Sequence, residues 1–247
     1  MATSVSPRRG DDALARRPHA KVRQRLLRRD AAARAAAQRG MGPAQAQRLT
    51  FATYKPVPKQ MEFHEGGVSR ERLFKAGNQL GKTVAGGFEM TAHLTGKYPS
   101  WWIGRRFAGP IRAWAGSCGF EATRDGVQRV LLGEPKVRDS WGKGMIPKAD
   151  IIKWTLRRGV PDAIDSITVR HISGGVSTLG FKSYTQGREK WQAETLDLVW
   201  FDEEPPLNIY FEGLTRTNAT YGCVYTTLTP LKGMTPFLML FKDCPGF

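Results

Sequence analysis

An α/β fold with a mainly parallel central sheet is what this sequence predicts, on three observations. Short apolar runs alternate with segments of helical spacing from about residue 50 onward. One of the runs, Leu196–Phe201, has the apolar character of a strand covered on both faces. The apolar fraction of 40 % over 247 residues is enough to bury a core, which excludes wholesale disorder.

The elements follow in order. Glu71–Ala76 (ERLFKA) predicts a short strand running into a glycine-containing turn, and Lys82–Leu94 a helix that Gly86 and Gly87 weaken. Ile111–Cys118 (IRAWAGSC) predicts a second buried strand. Phe120, Val127, Val130 and Leu131 give Phe120–Leu132 a helical face. The basic, mixed stretch Trp141–Pro161 predicts an excursion of loops and short strands. Ser166–Ile172 and Val176–Tyr184 predict a hairpin across Ser173-Gly174-Gly175. Leu196–Phe201 is the next strand, with Pro205-Pro206 starting the helix after it. Val224–Leu228 is another, closed by Pro230. Strands separated by helices imply right-handed crossovers in a parallel sheet.

Charge divides the chain differently. Lys plus Arg number 38 against 22 Asp plus Glu, a net of +16 that favours polyanionic partners. Residues 1–50 hold 12 of those cations and 3 of the anions, so a fifth of the chain carries more than half the excess. Within it, Lys21–Gln47 is rich in Ala, Arg and Gln, strong helix formers, with Gly40 and Gly42-Pro43 as stops. Its thin apolar stripe buries little surface. Two readings stand for this arm: a solvated, partly helical tail, or a segment that lies on DNA or on an acidic protein. Mean hydropathy is −0.40 and no run of 18 apolar residues occurs, so no transmembrane helix or membrane partner is expected. No apolar secretory segment opens the chain. Cys118, Cys223 and Cys244 cannot build a disulfide framework, and with the scattered His19, His64, His93 and His171 they offer no zinc spacing. A reducing, cytoplasmic setting is the expectation.

Ala76-Gly77-Asn78-Gln79-Leu80-Gly81-Lys82-Thr83 falls between a predicted strand and a predicted helix, the setting a phosphate-binding loop needs. Successive backbone N–H groups can curl around the β- and γ-phosphates, and the helix start adds partial positive charge. Gly81 lets the main chain approach without a Cβ. Lys82 would reach the terminal phosphates, and the Thr83 hydroxyl could ligate Mg²⁺. The usual pattern has glycine where this chain has Ala76, with Gly77 one step late.

Leu196–Glu204 (LDLVWFDEE) supplies the acids. A buried strand ending in Asp-Glu would set Asp202 beside the phosphate loop of a neighbouring strand, to hold the Mg²⁺ shell through water. Glu203 would orient and deprotonate the attacking water, with Glu204 as a spare charge.

Three blocks together resemble the ATPase half of bacteriophage terminase large subunits: KAGNQLGKT (Lys75–Thr83), SYTQGREKWQAETLDLVWFDEEPP (Ser183–Pro206) and TTLTP (Thr226–Pro230). The likeness spans about residues 50–247. It implies an ASCE-type (RecA-like) P-loop NTPase fold, a three-layer sandwich, and Mg-ATP hydrolysis that pumps double-stranded DNA into a procapsid. A homo-oligomeric ring, commonly a pentamer, with the portal protein and the terminase small subunit as partners in the host cytoplasm, is implied as well. The family's loop tolerates Ala at its first position. Residue by residue, Pro58–Phe63 resembles the adenine-recognition segment, where Gln60 would pair with the adenine edge; the alternative is an ordinary surface glutamine. Thr226, Thr227 and Thr229 resemble the coupling motif that senses the γ-phosphate. An arginine finger is implied too, with Arg105, Arg106, Arg124, Arg138 and Arg188 as candidates, Arg188 foremost by its place in Gln-Gly-Arg-Glu-Lys.

The family continues into a nuclease domain. Residues 231–247 (LKGMTPFLMLFKDCPGF) hold Asp243 as their one acid, so no two-metal nuclease is expected from this chain. The apolar run Phe237–Phe241 is expected to be covered in a larger protein. Two other functions compete with the motor: a nucleotide-dependent binding remnant without turnover, and a helicase-like ATPase.

Overall fold

The computed structural model describes residues 50–192 and 194–244, so the expectation for the basic arm lies, Thr50 apart, outside the described residues. The first element among the described residues is a helix that the sequence reading did not separate from its motif, α1 (Pro58–Glu65), with proline at its start. After it come β1 (Glu71–Lys75), α2 (Lys82–Thr95) and β2 (Arg112–Ser117). The expected helix over 120–132 is a composite. It comprises α3 (Phe120–Ala122), a π-helical stretch Thr123–Gln128 and α4 (Arg129–Leu132), ended by Gly133 at φ 112°. Strands β3 (Ile151–Leu156), β4 (Ile164–Arg170), β5 (Val176–Ser183) and β6 (Leu198–Asp202) precede α5 (Leu207–Arg216), β7 (Cys223–Leu228) and α6 (Pro236–Met239).

The strands form one seven-stranded sheet ordered β1-β7-β6-β2-β5-β4-β3. The first five in that order run parallel, while β4 and β3 extend the edge antiparallel. The expected hairpin is therefore not an appendage: β5 pairs with β2 register by register, Arg112 opposite Thr178 through Ser117 opposite Ser183. One expectation needs correcting. The strand that ends in Asp202 is not the neighbour of the strand that leads into the phosphate loop, because β7 is inserted between them.

Strand periodicity sorts the core into two layers. Phe74, Ala113, Ala115, Leu198, Trp200, Cys223 and Tyr225 face a cluster with Ala85, Met90 and Leu94 of α2. The alternate positions Trp114, Val199, Phe201, Val224 and Leu228 face Ile209 and Tyr210 of α5. Helices thus cover both faces, giving the three-layer α/β sandwich that the sequence predicts. No helix among the described residues is long and apolar enough to cross a membrane.

Gly86 and Gly87, which weaken α2 as an isolated helix, are what let it lie on the sheet. A Cβ on Gly86 would stand 2.6 Å from the Trp200 ring, and one on Gly87 2.5 Å from Val130. The Tyr225 hydroxyl donates to the Gly86 carbonyl at 2.8 Å, closing the same contact. In the run Phe237–Phe241, Phe237, Leu238 and Phe241 are buried against Tyr210, while Met239 and Leu240 are half exposed. The domain itself covers more of that run than its composition suggested.

Candidate active site

The parallel strands end together on one edge, where the loops after β1, β6 and β7 converge, the usual place for a ligand in a sheet of this kind. β1 delivers the chain into residues 76–81. Ala76 continues the ladder, its N–H donating to Leu228 O at 3.3 Å, and its methyl packs on the main core. That is why alanine is accepted there: the residue belongs to the strand end and has no positive φ. The turn is made further on, by Gln79 (φ 59°) and Gly81 (φ 75°, ψ 25°), the residue that caps α2. Glycine is required at 81 twice over, by its left-handed backbone and by Gln60, whose Nε2 lies 2.5 Å from where a Cβ would be.

Gln60 is buried, which overturns its reading as a surface residue. Its Oε1 accepts from Val57 N–H at 3.0 Å, and its Nε2 donates to Gly81 O at 3.0 Å, tying α1 to the loop. Lys82 is buried also; its Nζ donates to Gly77 O at 2.8 Å, which folds the ammonium back over the loop. Burial lowers its pKa, against the opposing pull of Glu203 and Asp202.

The two motifs meet. Thr83 Oγ1 donates to Asp202 Oδ1 at 3.1 Å. Thr227 Oγ1 donates to the same oxygen at 2.7 Å and accepts from Trp200 Nε1 at 2.8 Å. Burial pushes the Asp202 carboxyl up to about 6, with the Thr227 and Thr83 hydrogen bonds working the other way and the nearby Glu203 adding to the rise. Gly126 of the π-helical stretch faces the second oxygen, where a Cβ would stand 3.4 Å from Asp202 Oδ2. One hydroxyl and one carboxylate, side by side at a phosphate-type loop, are a donor set that suits Mg²⁺, which keeps several waters and takes one or two carboxylates. No group of three or more His, Cys, Asp or Glu among the described residues could hold a metal by itself.

Glu203 has φ 67°, a left-handed backbone that costs a non-glycine residue about 1–3 kcal/mol and persists only when its surroundings enforce it. Three contacts do so. Its N–H donates to Thr227 O at 2.7 Å, Thr229 N–H donates to its Oε2 at 3.2 Å, and the Tyr184 hydroxyl lies 2.9 Å from its carbonyl. Of the three threonines singled out in the sequence, Thr227 alone reaches Asp202. Thr226 points to the opposite face of β7, and its buried hydroxyl, like that of Thr229, has no hydrogen-bond partner among the described residues.

The arginine candidates are all engaged elsewhere. Arg188 donates to Glu212 Oε1 of α5 from Nε at 2.8 Å and Nη2 at 2.6 Å, so reaching a phosphate requires that pair to break. Arg105 bonds Tyr221 O, Arg106 bonds Trp102 O at 3.2 Å, Arg124 pairs with Asp125 and bonds Pro161 O, and Arg138 lies 3.9 Å from Asp162.

Sequence reasoning missed what supports the loop. Behind it, Arg72 of β1 and Glu89 of α2 form a fully buried ion pair. His64 Nδ1 of α1 lies 3.1 Å from Glu89 Oε2, His93 Nε2 lies 3.5 Å from Glu89 Oε1, and the Tyr54 hydroxyl lies 2.9 Å from His64 Nε2. Burial alone would raise the Glu89 carboxyl; Arg72, with the histidine hydrogen bonds, holds it well below the ordinary range. The network joins the elements on both sides of the loop to the helix that carries Gln60. A lone acid in the otherwise apolar face of α2, with histidine four residues on, was the available signal.

Comparison with known proteins follows the same lines. Residues 73–241 match the family model described as terminase large subunit, T4likevirus-type, N-terminal. The terminase large subunit of Salmonella phage P22 is 41 % identical over 211 residues, covering 78 % of this chain and 42 % of that protein. This chain therefore spans less than half the length of that relative. The large terminase ATPase domain of Thermus phage P74-26, solved as a point mutant, has a TM-score of 0.53 at 18 % identity, covering 77 % of this chain and 71 % of that one. At that identity the likeness is one of fold.

Proposed function

This chain belongs to the terminase large subunit family, matching its N-terminal part, and from that premise we propose that it is an Mg²⁺-dependent ATPase subunit that drives double-stranded viral DNA into a procapsid. The observation that carries the reading is the 3.1 Å contact between Thr83 and Asp202, which joins the phosphate-type loop to the acidic strand end in one site.

In the proposed reaction, the amides of residues 77–83 and the start of α2 cradle the β- and γ-phosphates. The Lys82 ammonium turns from Gly77 O to the terminal phosphates. Thr83 and Asp202 would hold Mg²⁺, which when bound would supply positive charge to offset that of the triphosphate. Glu203, next in the chain, aligns the attacking water and accepts its proton as the γ-phosphoryl group transfers. Gln60 retains a second amide N–H and a second lone pair, enough to pair with an adenine edge beside the loop. Thr227 links this chemistry to movement: its strand lies between β1 and β6, so a change at Asp202 passes directly to the element next to the loop.

Duplex DNA, the portal protein, the small subunit and further copies of the chain in a ring are the proposed partners. Contact with DNA through cationic side chains is mainly to phosphates, which makes it indifferent to sequence and sensitive to salt. The test is ATP hydrolysis with and without duplex DNA, on the wild-type chain and on Lys82→Ala. Turnover that DNA raises, and that the variant loses, is expected. Losing the charged donor should weaken ATP binding by about 10- to 150-fold. Hydrolysis unaltered by Lys82→Ala sinks the proposal.

A further inference from the structure

We propose that Tyr184 is a positioning residue for hydrolysis, its hydroxyl pinning the left-handed backbone of Glu203; the inference rests on the reading of Glu203 as the residue that activates water. Tyr184 opens the 3₁₀ turn Tyr184–Gln186 immediately after β5. That turn is fixed from within: Thr185 N–H donates to Ser183 Oγ at 3.2 Å, and Ser183 N–H donates to Gln186 Oε1 at 3.1 Å. The ring is buried beside Trp191 and Phe201, with centroids 6.0 Å away in each case. The side chain therefore has little freedom, and its hydroxyl is aimed by two independent constraints.

It is aimed at backbone. The oxygen lies 2.9 Å from Glu203 O, 3.1 Å from Asp202 O and 3.2 Å from Gly116 O. A phenol has one hydrogen to donate, so the three carbonyls share it, and the nearest belongs to Glu203. These carbonyls sit where β2 and β6 stop, at the point where the chain leaves the sheet and Glu203 takes its positive φ. Glu203 has two other anchors, to Thr227 O and from Thr229 N–H, and both lie on the β7 side. Tyr184 supplies the hold from the β2 side, through the hydrogen bond its side chain makes to the Glu203 main chain. With that hold removed, only the contacts on the β7 side oppose relaxation toward an ordinary φ, and such relaxation swings the carboxylate out of line.

A positioning role of this sort separates the steps of the reaction. Tyr184 makes no hydrogen bond to the loop, Lys82 or Thr83 among the described residues, and it meets Asp202 at the main-chain carbonyl and not at the carboxylate, so nucleotide binding should survive its loss while the chemical step suffers. Tyr184→Phe keeps the ring and removes the hydroxyl. The experiment measures ATP affinity, kcat and thermal melting for the wild-type chain, Tyr184→Phe and Glu203→Gln, with kcat expressed per nucleotide site counted by equilibrium binding, so that loss of folded protein is divided out. Expected is a Kd for ATP within about threefold of wild type and a kcat lower by about tenfold or more, since a 1 Å misplacement can cost ~10²-fold. A Tyr184→Phe variant with kcat per site within about twofold of an active wild type overturns the proposal alone. So does a parallel loss of affinity and kcat, which marks a structural role. A wild-type chain without turnover, or a Glu203→Gln variant with full turnover, overturns the reading of the site and this inference with it.

Discussion

Thr227 donates its hydroxyl hydrogen to Asp202 across 2.7 Å while accepting one from Trp200 at 2.8 Å, so one side chain of β7 serves both the acid at the end of β6 and the ring in its middle. All three side chains are buried. Thr227→Val keeps the shape and strands two polar groups, the indole N–H and one carboxylate lone pair. Each stranded buried group costs about 1–3 kcal/mol. Urea unfolding should report a loss of about 2–6 kcal/mol for the two together, and a loss below about 0.5 kcal/mol would show that Trp200 and Asp202 find other partners.

Glu203→Gln replaces the proposed base by an amide that holds the same space. Thr229 N–H can still donate to the amide oxygen, so the loop geometry and ATP binding should persist. Turnover should fall by the ~10²- to 10⁴-fold that a positioned proton acceptor contributes. The comparison is steady-state hydrolysis against equilibrium ATP binding on the same preparation.

Gly86 marks where legibility in the sequence ran out. The residues proposed to carry phosphate chemistry could be picked out because that chemistry demands them in a fixed local order: a loop ending in Gly81-Lys82-Thr83, and an apolar strand closing on Asp202-Glu203, and the structure brings the two together. The alternation of buried strands and helices was equally local, and the architecture followed from it. Strand order was not, since nothing in the sequence of β7 says that it slips between β1 and β6, and the direct adjacency expected of those two strands is wrong for that reason. Gly86 and Gly87 read as weaknesses of a helix because their justification, the Trp200 and Val130 side chains, lies far along the chain. Tyr184 and Gln60 escaped or stayed ambiguous on the same account: each acts on backbone that is remote in sequence. Gly86→Ala tests the packing half of this account. A Cβ 2.6 Å from the Trp200 ring forces the ring or the helix to move, at a cost of about 1–3 kcal/mol, despite the better helix propensity of alanine. A variant as stable as wild type would mean that α2 lifts from the sheet without penalty.

Glu89 sets how the fold responds to acid, and two groups act in sequence. Burial lowers the pKa of His93, so the folded state keeps it neutral where the unfolded chain binds a proton, below about pH 6.5. Stability therefore declines from there toward the lowered folded value. Glu89, held well below the carboxylate range against the burial that would raise it, behaves as a depressed acid. Its contribution is complete above the unfolded value of about 4.3 and drains away as pH falls further, because the unfolded chain takes up a proton that the folded one refuses. From these two groups, two successive losses are expected in a series of melts from pH 7 to pH 3, the first offset by Asp202, whose raised carboxyl takes up its proton in the folded state as pH falls through about 6. Glu89→Gln leaves Arg72 buried without its counter-charge and should cost about 3–5 kcal/mol at pH 7. It should also flatten the lower acid limb, since the group that titrates there is gone. Because Arg72 enters the loop through β1 and Glu89 leaves it through α2, nucleotide affinity should weaken in step with stability in this variant. A mutant that melts early yet keeps the wild-type acid limb would assign that limb to other carboxylates.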